Sequence, residues 1–200
     1  MTGLVSGFVL SLSLILAIGA QNAFILKQGL REQHVFILCL ICALSDAVLI
    51  MSGVFGFSLI INTLPGVESI ARYAGAIFLW AYGARSFYIA FNRNDALTEN
   101  PASKTSLSSA VLMCLAFTWL NPHVYLDTLV LLGAVSTQYP NEQFQFALGA
   151  SIASFGFFFS LGYGAHLFAP IFSKPRAWKI LEFLIGCVMW LIAFSLVFAW

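Results

Sequence analysis

Thr118-Trp119-Leu120-Asn121-Pro122-His123-Val124-Tyr125-Leu126-Asp127 sits inside an otherwise apolar run that spans residues 107–138. A helix needs about 20 apolar residues to cross hydrocarbon, so the run is long enough to span a membrane. Pro122 nevertheless removes one helical hydrogen bond and frees a carbonyl. Such a defect is tolerated at membrane depth only where it is buried in protein or lines a cavity. The stretch therefore reads as a discontinuous membrane helix built around a polar site, with Asp127 five residues past the break.

The rest of the chain has the same character. Its 200 residues are 60% hydrophobic and 8% charged, with a mean hydropathy of +0.92, whereas soluble domains carry about 25% charged residues. Six apolar spans fit, at residues 4–26, 34–61, 67–91, 107–138, 144–169 and 178–199. The first has no Lys or Arg ahead of it and exceeds the ~7–15 residue core of a signal peptide, so a retained first helix is expected. A net charge of +1 with no basic cluster argues against nucleic acid as a partner. Cys39, Cys42, Cys114 and Cys187 all fall inside spans, which suits small buried hydrophobes better than a disulfide framework.

The only extended polar stretch, residues 93–105, separates a first half (1–92) from a second (106–200), each with three spans. An odd number of spans makes the halves antiparallel. The expected fold is an all-α integral membrane protein of six helices arranged as two inverted three-helix repeats, whose sites lie near the midplane at interrupted helices. The first span of each half is interrupted, at Gly19-Ala20-Gln21-Asn22 and at Asn121-Pro122. Lys27, Arg31, Arg93, Lys104, Lys174, Arg176 and Lys179 fall on one side of this topology and Arg72 on the other. The positive-inside bias then makes the linker cytoplasmic and puts both termini outside, while a five-span arrangement reverses one end.

Asp46 is a second carboxylate at depth, twelve residues past His34 and hence roughly 18 Å into its helix. Each such group costs about 2.5–3.5 kcal/mol or more at the bilayer centre and so marks a transport path by default. Gln21, Asn22 and Asn121 add neutral donors and acceptors beside the breaks, with helix capping as their alternative role. Pro122 opens the second break, and Trp119 and Tyr125 flank it, where a ring could cover a cation. Arg72 and Arg85 are the candidate ion-pair partners for the aspartates. His34, His123 and His166 are too dispersed for a helical metal pair, although His123 adjoins the second break. Gly3 and Gly7, Gly53 and Gly56, and Gly162 and Gly164 allow close helix approach, and Ser151 and Ser154 add small polar contacts, all of which read as packing, including a homodimer contact. No phosphate-cradling loop, catalytic constellation, cofactor motif or metal-ligand set is present in the sequence, so any uphill movement must draw on an ion gradient.

At these residues the chain resembles the LysE/ArgO family of bacterial basic amino acid exporters, most closely its arginine-exporting branch. The resemblance covers nearly the whole length and is carried by Ile18-Gly19-Ala20-Gln21-Asn22-Ala23, Lys27-Gln28-Gly29, Ser45-Asp46 and the stretch quoted first. It implies a LysE-like fold in the bacterial inner membrane and a secondary transporter, not an enzyme. It also implies outward movement of L-arginine, with L-lysine and toxic analogues such as canavanine as further substrates, driven by membrane potential or proton exchange. Ala20 departs from the family's usual Gly-Pro-Gln-Asn, which is expected to straighten the first break, with Gly19 left as the alternative source of flexibility there. In this reading one of Asp46 and Asp127 binds the substrate's side-chain cation and the other gates or exchanges protons. Two alternatives remain at this stage. Two carboxylates with amide oxygens also suit a divalent metal exporter. Cys39-x-x-Cys42 suits a membrane thiol-disulfide carrier, although Cys114, seven residues before Asn121, gives no clear counterpart in the second half.

Overall fold

α1 (Thr2–Ile15) and α2 (Ala20–Leu30) are followed by two long helices, α3 (Val35–Thr63) and α4 (Pro65–Asn92). After the linker come α5 (Leu107–Trp119), α6 (Pro122–Tyr125), a π-helical turn at Leu126–Leu131, α7 (Leu132–Ser136), α8 (Gln143–Gly164), a 3-10 turn at Ala165–Phe168 and α9 (Pro175–Phe198). This computed structural model describes residues 2–16, 19–63, 65–92, 105–168, 170 and 174–198, without the side chains of 57–72, 74, 75, 195 and 196. Linker residues 93–104 and the side chain of Arg72 thus lie outside the described residues. No strand occurs among the described residues.

Local sequence sets the helix ends. Ser106 caps α5 by accepting from Ser109 N, and α4 opens on Pro65, whose missing N–H costs nothing in a first turn. Asn121 separates α5 from α6: its side chain accepts from His123 N and Pro122 restarts the helix behind it. The first break is sharper than the sequence suggests. α1 and α2 are bent by 80°, against 57° at the second break, so Ala20 does not straighten it. Gly19, extended at φ −110° and ψ 171°, is the N-cap, and Ala20 simply begins α2.

Val35–Gly56, Gln143–Phe168 and Pro175–Phe194 are each long and apolar enough to cross a membrane, and each bent pair qualifies as one further span, giving three to five. α4 is not among them, although its 28 residues cover about 42 Å.

The packing fixes how the helices run. α1 and α8 are parallel, with Gly3 against Glu142, Gly7 against Phe146 and the Ser11 hydroxyl donating to the Ala150 carbonyl. α3 and α8 are antiparallel: Cys39 meets Phe158 and Asp46 meets Ser154. α4 and α9 are also antiparallel, through Trp80 with Phe194 and Phe87 with Phe183. Close approach needs glycine at two points on the α1–α8 crossing. A Cβ on Gly7 would strike the Phe146 carbonyl, and one on Gly149 the Leu4 carbonyl. Gly53 similarly meets the carbonyl of Thr128, whereas Gly164 faces open space and takes no part in such packing.

Two apolar clusters result. One joins Phe24, Leu38, Cys42, Leu79, Phe117, Ile185 and Met189 towards the linker end. The other joins Ile50, Val54, Leu132, Phe146 and Ala150 towards the opposite end. Asp46 lies between them on the buried face of α3, one turn from both Cys42 and Ile50.

Gly7→Val should lower thermal stability by the equivalent of about 1–3 kcal/mol, since overpacking at a backbone contact cannot be relieved by a rotamer change. Gly156→Ala, where nothing lies within 4 Å of the added carbon, should leave it unchanged or higher. Melting curves in one detergent decide; equal losses would contradict the crossing.

Candidate functional site: a two-aspartate cavity at the helix breaks

A cavity of about 240 Å³ lies where the two breaks face each other. Gln21 and Asn22 enter it from the start of α2, Asp46 from α3, and Asn121 and Asp127 from the second break, so five residues distant in sequence share one wall. Each break turns polar groups inward that an uninterrupted helix would use internally. Asn22 Nδ2 donates to the Ile15 carbonyl at 2.7 Å, serving the end of α1. Asn121 accepts from His123 N at 3.2 Å. Both asparagines therefore cap helices and line the cavity, and the two expected roles coincide.

The π-helical turn carries Asp127. A π-turn leaves carbonyls out of the ordinary ladder and recurs at functional sites. Thr128 Oγ1 returns a bond to the Val124 carbonyl at 2.5 Å. Asp46 is buried and accepts from Ser154 Oγ at 2.9 Å, a partner on α8 that sequence reading treated only as a packing residue. Gln21 Nε2 is buried without a hydrogen-bond partner among the described residues. Such an orphan donor costs about 1–3 kcal/mol and is retained where a ligand or water can reach it.

Pro122 and Tyr125 do not line the cavity; they hold the break. Tyr125 donates to the Trp119 carbonyl at 2.6 Å, and Trp119 Nε1 to Ser45 Oγ at 3.3 Å, so both rings are tied to the protein. His123 does line it, together with Ser11 and Thr128. Arg85 forms no pair with either aspartate among the described residues and is exposed. The reason is topological, since α4 packs along α9 rather than against α3 or α8.

A buried ion pair lies elsewhere. Lys27 Nζ lies 2.6 Å from Glu182 Oε1, with both side chains almost wholly inside. The sequence placed Lys27 in a loop and gave Glu182 no role; the signal missed was a Glu on the face of α9 that also holds Trp178, Leu181, Ile185 and Met189.

The cysteines do not reach the cavity. Cys42 Sγ and Cys114 Sγ are 3.2 Å apart in the core, so Cys114 does have a counterpart across the halves, as a pair of free buried thiols. Among the described residues no three His, Cys, Asp or Glu side chains gather as a metal site.

Residues 12–199 match the family described as LysE type translocator. Similar proteins include the arginine exporter protein ArgO of Pectobacterium atrosepticum, 41% identical over 191 residues that cover 95% of this chain and 94% of that one. The protein of the same name from Salmonella typhimurium is 42% identical over 191 residues (95% and 90%), and that of Serratia proteamaculans 43% over 195 (97% and 94%). No solved structure matches the chain.

Removing one member of a buried pair strands the other charge. Lys27→Met should therefore destabilise the protein by about 3–5 kcal/mol, while Lys27→Met/Glu182→Gln should regain most of the loss. Thermal melting checks this, and an unaffected single variant would show that the pair is not formed.

Proposed function

The chain belongs to the LysE type translocator family, and from that premise we propose that it exports L-arginine across the bacterial inner membrane through the two-aspartate cavity. The observation that carries this reading is the convergence of Asp46, Asp127 and Gln21 on one cavity at two helix breaks. L-arginine at neutral pH offers a guanidinium, an ammonium and a carboxylate. The aspartates complement the two cations, and the orphan Gln21 amide can donate to the carboxylate. The volume equals that of about eight liquid waters, enough for a small zwitterion that has shed its own. L-lysine and canavanine share the same three groups and are substrates in this reading.

The energetics favour proton exchange over uniport. Outward movement of a +1 solute against an inside-negative potential costs about 2.3 kcal/mol per 100 mV. Returning one proton per arginine makes the cycle electroneutral. One aspartate holds the guanidinium while the other carries the proton back.

The six-span inverted repeat also belongs to this proposal, supported by the exchange pattern of the contacts. α1 of the first half lies on α8, the middle helix of the second, while the π-turn and α7 of the second half lie on α3, the middle helix of the first. α3 pairs with α8 and α4 with α9, each with its own counterpart. Swapping the halves leaves this network unchanged, as a two-fold axis in the membrane plane requires. The basic residues then make the linker side cytoplasmic.

In cells preloaded with an arginine dipeptide, Asp46→Asn and Asp127→Asn at native expression should each slow radiolabelled arginine efflux about 30-fold or more, the loss of a buried charge contact. Native rates in both variants would sink the proposal. In a cysteine-free background, Thr2→Cys should react with an impermeant maleimide added outside and Ser106→Cys only after permeabilisation. Protection of Thr2→Cys from the outer reagent would replace six spans by five.

A further inference from the structure

Along α2 the polar cavity gives way to a barrier. Gln21 and Asn22 line the cavity, Phe24 follows within a turn, and Lys27 stands six residues on from Gln21, about 9 Å along the axis. α9 repeats the order from its far end. Ile192 lines the cavity, Met189 and Ile185 are buried below it, and Glu182 lies ten residues from Ile192, about 15 Å away. The layer between is aromatic, with the Phe117 ring 5.2 Å from Phe24, 4.8 Å from Phe78 and 4.8 Å from Tyr82. Beyond the ion pair, Arg31 stacks 4.9 Å from the Trp178 ring at the linker end.

The ion pair itself is incompletely satisfied. Glu182 Oε1 meets the Lys27 ammonium, but Glu182 Oε2 has no partner among the described residues, and neither has Gln28 Oε1. Lys27 also lies 5.7 Å from the Tyr82 ring centroid. An ammonium supplies a point charge to one oxygen, whereas a guanidinium fork can serve both oxygens of a carboxylate and stack on a ring.

We infer that Glu182, with the Tyr82 ring and the Gln28 amide, is a second cation site on the linker side, where the guanidinium of arginine displaces Lys27 before passing the aromatic layer. Lys27 is then a built-in competitor: it occupies the carboxylate when no substrate is present and keeps α2 docked on α9. Displacement releases α2 from α9 while Gly29 holds it on α8 against the Gly162 carbonyl, so that this 11-residue helix can tilt about that contact from the bend at Gly19. The aromatic layer opens as Phe24 moves with it. Glu182 therefore selects for a side-chain cation before the cavity aspartates are reached.

This inference rests on the export reading, and one experiment separates the two. Arginine-dependent thermal stabilisation is measured in detergent for the native chain, for Asp46→Asn/Asp127→Asn, and for that variant with Lys27→Met/Glu182→Gln added. Citrulline, the neutral isostere, serves as control. The expected result is a shift with arginine in the native chain, a shift in Asp46→Asn/Asp127→Asn whose midpoint rises no more than about tenfold, and none in the combined variant or with citrulline. The neutral pair removes the charge without stranding a partner, so loss of binding there is not loss of fold. A native shift that vanishes in Asp46→Asn/Asp127→Asn overturns the second site and leaves the cavity reading standing, while one that persists in the combined variant overturns both. No arginine shift in the native chain overturns both.

Discussion

Every polar group placed at membrane depth must find its partner inside the protein, and this constraint organises the whole chain. Uninterrupted helices meet it almost by themselves, so α4 and α9 pack through aromatic contacts such as Phe87 with Phe183 and Trp190, joined by one bond from Trp190 Nε1 to the Trp80 carbonyl. The two broken helices cannot meet it alone. Their freed groups are taken up by asparagine caps, by Tyr125 on the Trp119 carbonyl and by the cavity between the breaks. The site is thus the place where the backbone's obligations are met by something other than a helix.

Close helix approach then fixes the site's geometry. Gly7 and Gly149 bring α1 and α8 into backbone contact, and Gly53 does the same for α3 and the π-turn that carries Asp127. α8 in turn supplies Ser154 to Asp46. A larger residue at any of these glycines would push apart the elements that hold the two carboxylates. Packing and chemistry are linked here because the same crossings do both jobs.

Much of this was legible in the sequence for a physical reason. Asp46, Asp127, Gln21, Asn22 and Asn121 stood out because a polar residue in an apolar span is costly wherever it points. Residues whose meaning depends on a distant partner were not legible. Ser154 looked like one small residue among others until α3 lay against α8. Lys27 flanks an apolar stretch and Glu182 lies only four residues inside another, where charges near an end are ordinary, and only the docking of α2 on α9 makes them a buried pair. The sharpness of the first bend was not legible, since Ala20 stands where a proline would announce it and Gly19 is the extended N-cap of α2.

The central claim is that the two halves bring Asp46 and Asp127 to a single cavity open to the same cation. The most direct test replaces both by cysteine, Asp46→Cys/Asp127→Cys, in a background lacking the four natural cysteines, and asks whether a short bifunctional thiol reagent joins them. Cross-linking within one chain is the predicted result. Two cysteines that react separately with a monofunctional maleimide yet are never joined would contradict it.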